Sequence, residues 1–511
     1  MLDVPPPLAP PQPQRMWFDG WRFAIAGTVA LGLVLRILAG CSHPGLWYDE
    51  ILWFDRFLDG FTRGIRAPGY TFFHYHYFLS LNGLQEYKIR IVSIVSGLAV
   101  VPLFALLTHK LFANVKLTAI GTLLVSLNIA AVSFTHEFKP YSMELFLHTV
   151  WLLCIVGFIN KRVATLTSTL ILLTGLTLSY GLIPLIAFQI VYVGYLWWKR
   201  RIKLVDVILC YALCGAYLFY FLGIYGKMKG ASTKQWGKKY GVFFDPRLHG
   251  TGVWAYLSWF SAKVSTYVSY PLNLFRELPF SDRAAGFRKG YGYIEAGWLG
   301  VLFVGATVAK VLRTRFDDER LIPVYLLAGY TLAGIFRIYP LGFFRANLFI
   351  LVYATLSVLF LLEGMLKKLT PQAGSIALCI LLTPTLFFTA RAPIGSKFFY
   401  NLNWSEAITR LCKDAEQSPV AVITDAKTGF AFNFYRKTSA PPECSTRISR
   451  NVFTSPETLE RLLQQHPRAY IFFAGSPKLL PEKIDQLIVE HFQGTQVSDA
   501  GGMYEYVVKK Q

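Results

Sequence analysis

Apolar runs of membrane length recur along this chain from Phe23 to about Ala390 and then stop. A helix crossing a bilayer core needs roughly 17–25 mostly apolar residues. Windows that meet or approach that length lie at 22–40, 90–108, 117–134, 142–160, 164–179, 182–198, 205–224, 294–312, 321–336, 346–362 and 374–390. The expectation is therefore about eleven transmembrane helices, to within one or two. The tightest connection is the hairpin Ser179-Tyr180-Gly181 between two of them. Only 16% of the residues are charged, against 54% hydrophobic, and mean hydropathy is +0.40. A soluble domain usually carries about 25% charge, so a soluble fold is excluded and the fold class is a polytopic α-helical membrane protein.

Charge placement orients the windows. Basic residues gather in alternate loops: Lys110 and Lys116; Lys161 and Arg162; Lys199, Arg200, Arg201 and Lys203; Arg313, Arg315 and Arg320; Lys367 and Lys368. The short loops between them, at 134–141, 179–182 and 337–345, carry much less. By the positive-inside rule the N-terminus is cytoplasmic and the C-terminal tail external. The net charge of +21 does not gather on one soluble face, as a nucleic-acid surface requires, so no nucleic-acid partner is expected. Residues 1–21, proline-rich from Pro5 to Pro13, read as a disordered cytoplasmic leader. Leu38-Ala39-Gly40-Cys41 matches a lipoprotein cleavage site, but Arg36 inside the apolar run and ten further windows argue against a removable signal.

Three regions are assigned outside the membrane domain 22–390 or to its external face. The first, 41–89, opens with Asp49-Glu50, follows with an amphipathic stretch Ile51 to Leu58, and holds the aromatic run Tyr70 to Phe78. Carboxylates beside hydrocarbon are expensive and point to function; the same pair could favour a helix start for dipole reasons alone. The second, 225–293, is expected to be a long cationic loop containing His249, suited to a phosphate-bearing lipid or simply solvated. The third, 391–511, is large enough for a small α/β domain. Strands are expected at Pro419 to Thr424 and Ala469 to Phe473, with a serine-capped helix from Ser455. Cys412 and Cys444 lie in this tail, where disulfides persist. Joined, they would close a loop of about 33 residues and add ~3–4 kcal/mol. Cys154, Cys210, Cys214 and Cys379 fall in apolar windows as small filler.

Charge also sits at the external ends of the windows: Arg90 at the second, His136, Glu137 and Lys139 with Pro140-Tyr141 after the third, and Arg337, Tyr339-Pro340 and Arg345 after the ninth. Acid and base thus converge on one external face. Carboxylates there could act as base or metal ligand, while Lys and Arg hold a phosphate.

These features, in this order, resemble the GT-C-fold membrane glycosyltransferases that use polyprenyl-phosphate sugars. That group includes the protein O-mannosyltransferases, the lipid A aminoarabinose transferases and the Rgt-type lipopolysaccharide-core transferases. The resemblance rests on Asp49-Glu50 after the first window, Pro68-Gly69-Tyr70 leading to Arg90, Glu137-x-Lys139-Pro140-Tyr141, and Tyr339-Pro340 followed by Arg345. It covers 41–165 best, 336–362 less closely, and the tail only in layout. Relatives usually carry arginine where this chain has Lys139, a departure that bears on bidentate phosphate binding.

The resemblance implies inverting transfer of a sugar from a polyprenyl-phosphate carrier to an acceptor hydroxyl at the external face. Asp49 would be the general base, with Glu50 beside it. Arg90, Lys139, Tyr141 and Arg345 would hold the donor phosphate. Glu137, and more weakly His249, would be the metal candidates, since relatives include metal-dependent and metal-independent members. The expected partners are the lipid-linked donor, membrane lipids and a glycan, lipid or protein acceptor; the expected location is a bacterial inner membrane with the C-terminal domain in the periplasm. A flippase for lipid-linked sugars is the first rival, although the chain shows no internal repeat. An oligosaccharide ligase or a catalytically dead lipid-binding scaffold are the others.

Overall fold

The computed structural model describes residues 14–41, 89–137, 140–157, 160–225, 243–274, 294–337, 341–342, 347–366, 370–391, 404–466, 468–474, 481–500 and 503–509. Every apolar window coincides with helix. The order is α1 (Gln14–Cys41), α2 (Ile91–Phe112), α3 (Val115–Ser126), α4 (Ile129–Ser133), α5 (Tyr141–Gly157), α6 (Lys161–Leu178), α7 (Ile183–Trp198) and α8 (Leu204–Tyr225). It continues with α9 (Val253–Ser269), α10 (Gly297–Val311), α11 (Ile322–Ile335), α12 (Ile350–Leu366) and α13 (Pro371–Arg391). By length and composition, Gly20–Ala39 and Ile91–Phe112 can each cross a membrane; seven further apolar helices are shorter, at 10–17 residues. Large apolar side chains such as Leu170, Val191, Phe219, Val301 and Ile380 are exposed on the outer faces of these helices. In water so much apolar surface would be a liability, whereas hydrocarbon suits it.

Two elements depart from the sequence pattern. The window 117–134 is broken: α3 ends at Ser126, Asn128 caps a five-residue α4, and a 3-10 turn covers Phe134–His136. Asn128 causes the break, because its Oδ1 accepts from Ala131 N at 2.9 Å and its backbone is extended. The region 225–293, expected to be a loop throughout, contains the 17-residue helix α9, which packs along α10. Its interspersed serines, threonines and tyrosines hide it from a hydropathy window.

Buried polar side chains hold the broken span together. Arg36 lies wholly buried in α1, and its guanidinium donates to Val125 O at 2.9 Å, Ser126 O at 3.1 Å and Gly32 O at 3.1 Å. It therefore caps the last carbonyls of α3, where the helix dipole favours a cation. A Cβ on Gly32 would come within 2.6 Å of Ser126 Oγ, so α1 and α3 cross this closely only with glycine there. Asn273, just after α9, closes the break from the other side by binding Leu127, Asn128 and Ile129. At the opposite end of the bundle, ion pairs tie the loops: Lys161 to Glu319 at 2.6 Å, Arg162 to Asp206 at 2.9 Å, and Arg320 to both Asp318 and Glu363.

The C-terminal unit is α/β, as the tail sequence implies. α14 (Trp404–Gln417) precedes β1 (Val420–Thr424); α15 (Ala426–Ser439) and α16 (Pro442–Arg447) lead to β2 (Ile448–Val452); α17 (Pro456–Gln465) leads to β3 (Arg468–Ala474). A short helix at Pro481–Gln486 precedes the hairpin β4 (Thr495–Ala500) and β5 (Met503–Lys509). The five-stranded sheet has the order β2-β1-β3-β5-β4, parallel among β1, β2 and β3 and antiparallel beyond. Both faces of β1 are covered, which is why it reads as an unbroken apolar run. Val420 and Val422 join Trp404, Phe432 and Phe472 on one face; Ala421 and Ile423 join Leu459, Leu463 and Ile484 on the other. On β5, Glu505 is buried against Arg410, which donates to both of its oxygens at 2.8 and 2.7 Å. Burial raises the Glu505 carboxyl above its ordinary value, and the Arg410 bonds work against that.

Cys412 and Cys444 are joined, tying α14 to α16. A Cys412→Ser, Cys444→Ser variant should lose about 3–4 kcal/mol of stability in this unit. A thermal unfolding scan of the two proteins tests this, and matching midpoints would show that packing of Trp404 and Tyr435 holds the unit without the crosslink.

Candidate functional site

Of the candidate site residues, the structure places Arg90, Glu137, Tyr141 and His249. Asp49, Glu50, Lys139 and Arg345 lie outside the described residues, as do Pro68-Gly69-Tyr70, the aromatic run 70–78 and Tyr339-Pro340. Arg90 stands immediately before α2 with its carbonyl accepting from Ile94 N at 2.9 Å, and it is 1% exposed. Glu137, also 1% exposed, ends the 3-10 turn, which packs on the first turns of α2 through Thr135 against Gly97. Two oppositely charged groups from separate loops are thus buried at the same end of the bundle. Charges are rarely buried unless they are paired or used.

Tyr141 begins α5, and its ring meets Phe134 edge-on at 5.1 Å. Pro140 O accepts from Glu144 N at 2.7 Å, so the Pro-Tyr step opens α5. His249 is elsewhere, at the end of a short helical turn Pro246–His249 that precedes α9. Its Nδ1 is engaged by Asp245 N at 3.1 Å, and its ring packs on Phe244 at 5.6 Å and Trp259 at 5.9 Å. Arg337 Nη2 donates to Phe244 O at 2.7 Å, which draws the loop after α11 to this turn. Among the described residues no three His, Cys, Asp or Glu side chains are grouped as a metal ion needs. His249 Nδ1 also lies 3.0 Å from Asp245 O, a contact that leaves Nε2 available as a ligand.

A second buried cluster was not anticipated. Glu144, 4% exposed in the first turn of α5, accepts a hydrogen bond from Ser179 Oγ. Ser179 Oγ also receives Gly181 N at 3.2 Å, and Tyr330 OH donates to Gly181 O at 3.1 Å. One turn along α5, His148 stacks on Phe349 at 4.1 Å and shares a 2.6 Å hydrogen bond with Tyr353 OH. Glu144 Oε2 and His148 Nε2 are buried without a hydrogen-bond partner among the described residues. The cluster gathers α5, the 179–181 hairpin, α11 and α12 just inside the Glu137 turn. A signal for it was present: Glu144 and His148 are four residues apart inside an apolar window, hence on one helical face. Ser179→Ala should cost about 1–3 kcal/mol, because it removes a hydrogen-bond donor from a buried carboxyl group. Thermal unfolding in detergent reads this, and an unshifted midpoint would mean the hairpin is held by apolar contacts alone.

The fold and this placement define a helical bundle with a C-terminal α/β unit and a charged, buried cluster at one end. No protein-family model and no curated protein matches the chain. Solved structures similar to it over nearly its whole length include ArnT from Cupriavidus metallidurans in the apo state, at 12% identity, 96% of this chain, 98% of that chain and a TM-score of 0.46. The same protein bound to undecaprenyl phosphate matches at 11% identity, 94% of this chain, 97% of that one and a TM-score of 0.45. The Archaeoglobus fulgidus oligosaccharyltransferase in complex with Zn and sulfate matches at 12% identity, 95% of this chain, 73% of that one and a TM-score of 0.47.

Proposed function

We propose that the chain is an integral membrane glycosyltransferase that moves a sugar from a polyprenyl-phosphate carrier to an acceptor hydroxyl at the external face. The observation that carries the reading is the burial of Arg90 and Glu137 at one end of the bundle. They are two of the positions that the sequence resemblance assigns to the site, and they come from separate loops, 47 positions apart in the chain. The Cys412–Cys444 disulfide supports an oxidising compartment for the tail.

In the proposed step Asp49 takes the proton of the acceptor hydroxyl, and the acceptor oxygen attacks the anomeric carbon from the face opposite the carrier. The bond from that carbon to the phosphate oxygen breaks, its electron pair leaves with the polyprenyl phosphate, and configuration inverts. Arg90, Lys139, Tyr141 and Arg345 hold the phosphate as charge develops on it, stabilising the transition state more than the ground state. Glu137 orients these cations from the same end of the bundle, and Glu50 supports Asp49.

The test is transfer of a labelled sugar from a polyprenyl-phosphate donor by full-length protein in lipid nanodiscs. Turnover with inverted product supports the reading. Movement of the donor across vesicle membranes without turnover would replace it with a flippase.

A further inference from the structure

The groove between α7 and α8 lies at the end of the bundle opposite Glu137, and the proposed transfer chemistry does not use it. The two helices touch where Gly194 meets Tyr211: a Cβ on Gly194 would stand 2.8 Å from the tyrosine hydroxyl, which donates to Ile190 O at 2.9 Å. Beyond that contact they diverge, leaving a cavity of about 730 Å³ lined by Gly194, Trp197, Trp198, Leu204, Ile208 and Tyr211. Its walls are almost wholly apolar, and its size is in the range of sites for small amphiphiles.

The link closing the groove is Lys199-Arg200-Arg201-Ile202-Lys203. All four cations are exposed, and among the described residues none of them has an ion-pair partner. The neighbouring acid, Asp206, is occupied by Arg162 at 2.9 Å. Arg200 takes a left-handed conformation at φ 54, which turns the chain tightly here. Lys199 Nζ lies 4.8 Å from the Trp198 ring, so an indole and a cation share the groove's rim. An apolar slot with uncompensated positive charge at its mouth matches a molecule with a hydrocarbon tail and an anionic head.

We propose that this groove binds one anionic phospholipid, its acyl chain between α7 and α8 and its phosphate on Lys199, Arg200, Arg201 and Lys203. Positive charge in a loop can orient a chain in the membrane without any bound lipid. The present loop differs in flanking a formed apolar slot while the nearby Asp206 and Glu319 are paired with Arg162 and Lys161. Basic pockets between membrane helices select anionic headgroups for this reason.

The experiment is native mass spectrometry of delipidated full-length protein titrated with phosphatidylglycerol or phosphatidylcholine of identical chains. It does not depend on sugar transfer, so it stands whether or not the proposed activity does. Wild type should hold one phosphatidylglycerol with about tenfold preference at low salt, a preference that falls as salt screens the headgroup. Replacing Lys199, Arg200, Arg201 and Lys203 together by alanine should abolish the preference while leaving weak binding of either lipid. Ile208→Trp, which fills the slot from an exposed position, should remove the bound lipid with the basic loop intact. Equal binding of the two lipids by wild type, or an unchanged preference in the quadruple variant, would overturn the proposal. So would displacement of the phospholipid by an equimolar polyprenyl phosphate, which would reassign the groove to the carrier.

Discussion

Asp49→Asn should reduce sugar transfer by about 10²–10⁴-fold while donor binding stays within a few-fold of wild type. The substitution keeps the shape of the side chain and removes only its ability to accept a proton. In the proposed displacement that ability matters in the transition state alone, so kcat should fall and KM should not. Lys139→Ala should raise KM and lower kcat together, since the phosphate contact is made in the ground state and strengthens in the transition state. The pair of variants is therefore more informative than either. Equal turnover by Asp49→Asn and wild type would move the base to Glu50 or Glu137. Of these, Glu137 has the weaker case, because its burial beside the start of α2 suits holding a cation better than reaching an acceptor.

The apolar windows located the helices well because hydrocarbon imposes one strong requirement, a long run without charge. The same criterion was blind where polar groups satisfy one another. α9 went unseen because Ser261, Ser265, Thr266 and Ser269 lower its hydropathy, although their hydroxyls bond to backbone carbonyls at Ser258, Ala262, Lys263, Ser265 and Ile294. The break at Leu127-Asn128 was legible only as an asparagine in an apolar run, and no local signal said that Arg36 and Asn273 would meet it from 90 and 145 residues away. β1 and β3 were visible because burial on both faces leaves a solid apolar run, whereas β2 was missed because only Ile448 of its five residues is buried. The antiparallel pair β4 and β5 was missed because Thr495 to Ala500 is mostly polar. The Glu137 turn was found by motif, whereas Glu144 and His148, one turn further on, belong to no motif and needed the 179–181 hairpin to give them meaning.

Asn273→Leu should be the most destabilising single change in the bundle, for two separable reasons. Asn273 is fully buried, and its Nδ2 donates to Leu127 O at 2.8 Å while its Oδ1 accepts from Ile129 N and Asn128 Nδ2, both at 3.2 Å. These bonds cover the backbone where α3 stops and α4 starts, and irregular backbone at membrane depth is tolerated only when it is satisfied in this way. Leucine leaves Ile129 N without that acceptor, while Leu127 O retains Thr389 Oγ1 at 3.0 Å. The orphaned donor should cost about 1–3 kcal/mol, or nearer ~0.6 kcal/mol if bundle hydrogen bonds follow the weaker membrane average. Asn273 also sits at φ 50. Asparagine tolerates that left-handed backbone, whereas leucine pays roughly 1–2 kcal/mol for it. Asn273→Gly separates the two contributions, because glycine loses the hydrogen bonds and keeps the backbone. Denaturant unfolding in mixed micelles should rank wild type above Asn273→Gly and Asn273→Gly above Asn273→Leu. If glycine is as stable as asparagine, the backbone conformation matters and the hydrogen bonds do not. If leucine equals asparagine, the break is held by Arg36 alone. Because α4 leads through a single 3-10 turn to Glu137, loosening it should also lower donor affinity, in step with the lost stability.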